Sequence, residues 1–171
     1  MVMAKRVFYG LLVALSVCLV SACSNDHTQS SNLTTTKHKA AAEAVVLDVY
    51  KDPNCGCCSK WVDHLKAEGL SVAAHNTNDL DQLKAKYGIS PENSSCHTGV
   101  SKDGYVFEGH VPAKYVRQFL SEKPKGAYGL AVPGMPVGSP GMEMGQQRDS
   151  YQVMQLNLDG STSVYAYEEG S

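Results

Sequence analysis

Val45-Val-Leu-Asp-Val-Tyr50 is followed by Asp52-Pro-Asn54 and then by Cys55-Gly-Cys-Cys58. The first run is mainly apolar and β-branched, as is typical of a buried strand, and the Asp-Pro-Asn run ends it. A helical pattern begins directly after the cysteines, and Gly69 is a suitable C-terminal stop for that helix. The sequence therefore predicts a strand-to-helix junction that carries three thiols. The apolar positions of the helix are Trp61, Val62 and Leu65.

A second strand and a second helix follow the first pair. Leu70 to His75 has the composition of a strand. Asn78 is a suitable N-cap for a helix that includes Leu80, Leu83 and Tyr87, and Gly88 ends it.

The remaining pattern favours an α/β fold. A turn at Ser101-Lys-Asp-Gly104 leads into the strand Tyr105–Gly109, and Asp-Gly between short strands is a strong hairpin signal. Pro112 suits the first turn of a third helix. A loop rich in Gly, Pro and Met separates that helix from a terminal hairpin of Tyr151–Leu158 and Ser163–Tyr167. The order β-α-β-α-β-β-α predicts a thioredoxin-like single domain over residues 45–171, with the C-terminal β-hairpin as an addition.

The N-terminus has the features of an export signal. Lys5 and Arg6 precede the uncharged apolar run Val7–Val20, which is short for a membrane span and suitable for a signal peptide. Ser21-Ala-Cys23 resembles the bacterial lipobox, in which the cysteine is lipidated and becomes the mature N-terminus. An ordinary signal peptide or a transmembrane helix is the alternative reading of this run.

We therefore expect a signal peptide over residues 1–22, acylation of Cys23 and a polar flexible tether over residues 23–44. Ser24 after the modified cysteine favours the outer membrane, so the domain would face the periplasm from a lipid anchor. Within the tether, His27 and His38 are interpreted as solvated linker residues.

Charge excludes a nucleic-acid partner. The 171 residues carry a formal net charge of -2 and have a pI near 6.3. A nucleic-acid-binding domain normally presents a basic surface. Composition alone indicates a small soluble domain.

Four thiols remain after export: Cys55, Cys57, Cys58 and Cys96. Cys55 and Cys58 have the C-x-x-C spacing of an easily reversed disulfide at the start of a helix. The helix dipole there favours thiolate, which serves either disulfide exchange or soft-metal binding. A third neighbouring thiol, Cys57, invites scrambling in an exchanger and adds a ligand in a metal site. The pattern of three neighbouring thiols thus favours a metal-binding site over a disulfide-exchange site.

The segment Pro133–Met144 discriminates between metals. Its prolines and glycines prevent a helix, so Met135 and Met142 do not form an ordinary amphipathic face. Thioether is a ligand for Cu(I) and a poor one for zinc. Alternatively, these methionines fill gaps over the core. Together with the thiols they favour copper.

The histidines divide by position. His97 beside Cys96 and His110 before the third helix lie at element ends, where ligands are often found. His64, in mid-helix, is expected to be solvated, while His75 at a strand end has no assigned role. Trp61 is expected to pack under the cysteine turn.

These motifs together resemble the CopG-type envelope copper-resistance proteins, a family long known only as a domain of unknown function. The resemblance covers residues 45–167. It is carried by Cys55–Cys58, Trp61, Ser95-Cys-His-Thr98, Glu108-Gly-His-Val-Pro112 and Pro133–Glu143.

The resemblance implies copper homeostasis or resistance, with several copper ions, as Cu(I), in a thiolate-bridged site. It also suggests interconversion of Cu(I) and Cu(II), and partners in copper efflux or redox chemistry. The implied ligands are Cys55, Cys57, Cys58 and Cys96, then Met135 and His110, then Met142 and His97. The alternatives are a thiol–disulfide oxidoreductase with Cys55 as nucleophile and Cys58 resolving, and a zinc or structural disulfide module. Thioredoxins place a cis proline before the third strand, whereas Ser94–His97 contains no proline.

Overall fold

The computed structural model describes residues 46–171, all of which belong to one compact unit. The predicted signal peptide and tether, with Cys23, His27 and His38, lie outside the described residues. Among residues 46–171, no helix has the length and apolar character needed to cross a bilayer.

A seven-stranded sheet with three helices forms the domain, and the α/β prediction is confirmed. The strands are β1 Val46–Lys51, β2 Ser71–Asn76, β3 His97–Ser101, β4 Val106–Gly109, β5 Ala127–Val132, β6 Tyr151–Asn157 and β7 Thr162–Glu168. The helices are α1 Gly56–Ala67, α2 Leu80–Lys86 and α3 Ala113–Glu122, with a single 3-10 turn at Pro91–Asn93.

The spatial order of the strands is β2-β1-β3-β4-β5-β6-β7. β1 pairs with β2 in parallel and with β3 in antiparallel orientation, and β3 and β4 form the predicted hairpin. This arrangement of the first four strands agrees with the thioredoxin-like interpretation. The register pairs Lys51 at the end of β1 with His97 at the start of β3, so the cysteine turn after β1 and the segment before β3 meet at one edge.

Two details of the sequence prediction are wrong. The first is the segment between α3 and the terminal hairpin, which was predicted to be a loop and contains the strand β5. The hairpin of β6 and β7 does form, and β5 joins it to the sheet by pairing in parallel with β4 and antiparallel with β6. At Gly129 of β5 an added Cβ would lie 2.1 Å from the carbonyl oxygen of Val106, so the close approach of β4 and β5 requires glycine there. Glycine has a low strand preference, and for that reason β5 is not evident from the sequence. The cap residue of α2 is Asp79 instead of Asn78.

The apolar core lies between the sheet and the two helices α1 and α3. It contains Trp61 and Leu65 from α1, Phe119 from α3, and inward-facing residues of β1, β4, β5 and β6. Because side chains alternate along a strand, Phe107 of β4 enters this core while Glu108 points to the opposite face. There Glu108 contacts Lys84 of α2.

Candidate metal centre

The first turn of α1 carries three of the cysteines. Cys55 is the N-cap of α1, in an extended conformation, and its Sγ accepts a hydrogen bond from the backbone N–H of Cys58 at 3.3 Å. Cys55 and Cys58 are joined by a disulfide, with their Cα atoms 5.4 Å apart. The predicted ease of this pairing is thus realised, and Cys57 and Cys96 are the free thiols among the described residues.

All four sulfur atoms form one cluster. Cys57 Sγ lies 3.5 Å from Cys55 Sγ and 3.9 Å from Cys96 Sγ. The Sγ atom of Cys58 lies 3.5 Å from the carbonyl oxygen of Cys96. Every pair among the four Sγ atoms is within 4.8 Å, which brings together the four cysteines singled out in the sequence. Such spacing suits a soft metal once the disulfide is reduced.

Two buried histidines face Cys96. His110 Nε2 lies 3.2 Å and His97 Nδ1 3.3 Å from Cys96 Sγ, and both side chains are fully buried. His110 Nδ1 donates to the carbonyl oxygen of Pro140 at 2.8 Å. Since a carbonyl only accepts, the proton of neutral His110 resides on Nδ1 and the lone pair of Nε2 is directed at the thiol. Cys96 therefore belongs to the sulfur cluster and to a second group with two imidazoles.

Burial keeps these groups neutral. It raises the pKa of the Cys96 thiol to about 12, and the neighbouring Cys57 thiol adds to the effect. Burial likewise lowers the pKa of His110, and it lowers the pKa of His97 well below the ordinary value, assisted by the neighbouring imidazole of His110. In the metal-free protein Cys96 is a thiol, so a metal that binds it must displace a proton.

The segment Pro133–Met144, called here the methionine segment, packs against both sides of this cluster. Gly134 N–H donates to the carbonyl oxygen of Ser94 at 3.3 Å, and Ser95 Oγ donates to the carbonyl oxygen of Gly134. At its other end, a Cβ on Gly141 would lie 2.7 Å from the carbonyl oxygen of Cys57. The segment thus bridges the Cys96 side and the α1 side of the cluster.

The methionine side chains are accessible. Met135 is 53% exposed, so it does not fill a gap in the core, and Met142 is partly buried. Their segment lies at the cluster, and their role as ligands stays a prediction.

Two solved structures are similar to this chain over almost their entire length. Both are of proteins named copper resistance protein copG, in forms 2 and 1, with 45% and 46% sequence identity and a TM-score of 0.70 each. They cover 74% and 75% of this chain and 99% and 100% of their own. The chain belongs to the CopG family. The resemblance identified from the sequence is confirmed.

A family model described as "Protein of unknown function, DUF411" matches residues 93–142, and no curated protein matches. In this CopG-family chain the matched part contains Cys96, both cluster histidines and most of the methionine segment. It begins after the α1 cysteines, so these three ligands lie outside the matched part and the fold brings them to it.

Two other histidines of the CopG-family chain have structural contacts. His64, expected to be solvated, is half-buried, and its Nε2 accepts a hydrogen bond from the backbone N–H of Ala113 at 3.1 Å. It therefore ties α1 to the first turn of α3. His75 is exposed, lies 2.7 Å from Asp48 Oδ1, and stacks on Tyr50. Trp61 is fully buried as expected, and its indole N–H donates to the carbonyl oxygen of Val111 at 2.9 Å.

The groups that hold the ligand segments in place were not predicted from the sequence. Pro140 and Gly141 act through backbone contacts, for which a sequence carries no side-chain signal. Glu108 is different, because a carboxylate in the otherwise apolar strand Tyr105–Gly109 is a signal of a buried charge that must have a partner. That partner is Lys84.

Proposed function

We propose that this protein binds copper in the cell envelope, as Cu(I), in a site of more than one ion bridged by cysteine thiolates. The observation that carries the proposal is the convergence of four Sγ atoms within 4.8 Å of one another, with two imidazole nitrogens beside Cys96. Soft thiolate ligands select Cu(I), and imidazole also suits copper. The name of the two similar structures, copper resistance protein copG, supports the choice of copper over zinc.

The number of candidate ligands, and the sharing of one of them, favour a site of several ions. Four thiolates and two imidazoles offer six ligand atoms, more than the four of a tetrahedral site, and Cys96 is a member of both ligand groups, so its sulfur is placed to bridge two ions. His110 is pre-oriented by Pro140 to present Nε2. Met135 and Met142 add thioether ligands from the methionine segment in this proposal.

Full loading requires reduction of one disulfide. The disulfide between Cys55 and Cys58 must take up two electrons and two protons from a dithiol reductant, which is itself oxidised to a disulfide, before both residues can act as ligands. The protein is then a holder of Cu(I) in copper homeostasis or resistance. Interconversion of Cu(I) and Cu(II), in which one electron per ion passes to or from a redox partner in the envelope, is a further part of the proposal, since imidazole ligands tolerate either oxidation state.

Anaerobic titration of the reduced protein with Cu(I), in competition with a chromophoric chelator, tests the proposal. We expect binding tighter than micromolar, more than one ion per chain, and a thiolate-to-copper absorption band in the ultraviolet. The double variant Cys57→Ser and Cys58→Ser should lose at least half of the bound copper. Ser59→Ala, a change in the same turn that removes no thiol, is the control. Binding weaker than micromolar, or equal binding by the double variant, would refute the proposal.

A second candidate function, thiol–disulfide exchange, is favoured by the disulfide at the N-terminus of α1. It requires Cys55 and Cys58 alone. Disulfide reductase activity that survives Cys57→Ser and Met135→Leu would support it. One observation argues against exchange. Thioredoxins place a substrate-holding proline directly before the third strand, whereas here Cys96 occupies the position before β3. Its Sγ lies 3.9 Å from Cys57 Sγ, so this position carries a candidate metal ligand.

A further inference from the structure

A buried carboxylate lies behind the segment that carries Cys96. Glu108 is fully buried on β4, and its Oε1 accepts a hydrogen bond from the backbone N–H of Ser95 at 2.7 Å. Its Oε2 accepts from Thr98 Oγ1 at 2.6 Å. Lys84 Nζ forms an ion pair with Oε1 and donates to Thr98 Oγ1 at 3.2 Å.

The contacts of Glu108 bracket two candidate ligands. Ser95 and Thr98 lie immediately before and after Cys96 and His97, so one carboxylate fixes both ends of that tetrad. Glu108 is also two residues before His110. Between them, Gly109 approaches Ser95 so closely that a Cβ on the glycine would lie 2.6 Å from the Cβ of Ser95. The position of Glu108 is therefore coupled to all three members of the Cys96–His97–His110 group.

Stability alone is a weak reason for this arrangement. Lys84 is 6% exposed and Glu108 is fully buried, so both charges have lost their water. Desolvation offsets much of the attraction in such a pair, and an apolar pair of similar size often stabilises a fold equally well. An apolar pair cannot accept the hydrogen bond of Ser95 N–H. What the ion pair adds is a fixed acceptor for the backbone next to Cys96.

We infer that Glu108, whose negative charge is balanced by Lys84, is a positioning residue that holds Cys96 and His97 in ligand geometry. The inference rests on the proposed copper site, and it assigns no metal contact to Glu108 itself. The carboxylate acts through Ser95 and Thr98.

Two double variants with the same charge isolate this role. Lys84→Met with Glu108→Gln keeps an acceptor for Ser95 N–H, whereas Lys84→Met with Glu108→Leu removes it. We expect the Leu variant to bind Cu(I) at least tenfold more weakly than wild type, and the Gln variant to bind at least fivefold more tightly than the Leu variant. Lys86→Met, an exposed change two residues along α2, is the matched control for Lys84. Equal Cu(I) affinity of the Leu variant and wild type would overturn the inference.

A copper-free readout separates positioning from general destabilisation. In the reduced protein we expect the rate at which iodoacetamide alkylates Cys96, relative to Cys57, to change at least threefold in the Leu variant. Cys57 lies on α1 and serves as the internal reference, because loss of overall stability would expose both thiols. An unchanged ratio contradicts the inference.

The inference stays testable if the Leu variant does not fold or if wild type does not bind Cu(I). If the Leu variant does not fold, Thr98→Val replaces it, with Thr98→Ser as the variant that keeps the hydroxyl. Thr98→Val should then bind Cu(I) about threefold more weakly than Thr98→Ser, and equal affinities overturn the inference. If wild type fails to bind Cu(I) while the alkylation ratio changes as expected, the proposed function is wrong and the positioning role stands.

Discussion

The Sγ atoms of Cys57 and Cys96 lie 3.9 Å apart, although 39 positions separate the two residues in the chain. The pairing of Lys51 with His97 explains the meeting, because antiparallel β1 and β3 place the end of one strand beside the start of the other. The turn that begins α1 and the segment that precedes β3 therefore face each other at one edge of the sheet. A site built there depends on the fold as a whole.

The disulfide between Cys55 and Cys58 predicts that copper capacity depends on redox state. In the oxidised protein Cys57 and Cys96 are the thiols left in the cluster, so we expect the number of Cu(I) ions bound per chain to rise at least twofold after reduction. The measurement is an anaerobic Cu(I) titration of oxidised protein and of protein reduced with a phosphine that is then removed. Cys55→Ser cannot form this disulfide, and its capacity should be the same with and without prior reduction. Equal capacity of oxidised and reduced wild type would contradict the prediction.

Elements near strong local signals were predictable from the sequence. Gly69 and Gly88 end α1 and α2 with positive φ angles, and Asp103-Gly104 forms the turn between β3 and β4. The thiol cluster was also predictable, since three of its members share one helical turn. Cys96 was added through its motif and its place before the third strand.

What the sequence did not reveal depends on contacts between distant residues. Lys84 and Glu108 are 24 positions apart, and neither residue type indicates its partner until α2 lies over β3 and β4. His64 lies on the helix at a position that suggests solvent, yet α3 returns 49 residues later to place Ala113 N–H on its ring. β5 was not predicted because Gly129 weakens the local strand preference, although the close pairing of β5 with β4 requires this glycine.

His64 predicts a loss of stability in acid. Its Nε2 accepts from Ala113 N–H, so the ring must be unprotonated there, and burial lowers the pKa of His64 below its ordinary value near 6.5. The unfolded chain consequently binds this proton more readily than the folded chain. The contribution is present above about pH 6.5 and is lost as the pH falls through the lower folded-state pKa.

Urea unfolding of the metal-free, oxidised protein at pH 7.5 and pH 5 measures this effect. The ring is only half-buried, so we expect wild type to lose about 1 kcal/mol or less through His64. His64→Gln offers an amide oxygen that accepts at either pH, and it should lose less stability on acidification than wild type. A larger loss in His64→Gln than in wild type would contradict the assignment.

Cys23 predicts a lipid anchor. We propose that expression in a diderm bacterium gives a chain that incorporates labelled palmitate and fractionates with the outer membrane. Cys23→Ser should remove the label and leave the protein unanchored. Cys18→Ser, a change within the predicted signal peptide, is the matched control and should retain the label. Label that persists in Cys23→Ser would show that a different residue is acylated, and wild type without label would show that the anchor is absent.

Gly141 predicts how the methionine segment is docked on the thiol cluster. It has φ +90°, and an added Cβ would lie 2.7 Å from the carbonyl oxygen of Cys57 and 2.9 Å from the backbone nitrogen of Trp61. Gly145 also has a positive φ, of +62°, but its added Cβ meets no atom within 4 Å. Alanine at either position costs about 1–2 kcal/mol of backbone strain. Only at Gly141 must the segment also move away from α1.

We therefore expect Gly141→Ala and Gly145→Ala to lower the free energy of unfolding, with Gly141→Ala the more destabilised. The two variants should also differ in their affinity for Cu(I). Gly141→Ala should bind Cu(I) about tenfold more weakly because displacement of the segment moves its methionines and Pro140, which orients His110. Gly145→Ala should bind as wild type does. Chelator competition at low temperature, where both variants are folded, makes the comparison, and equal affinities would mean that the segment contributes nothing to the metal centre.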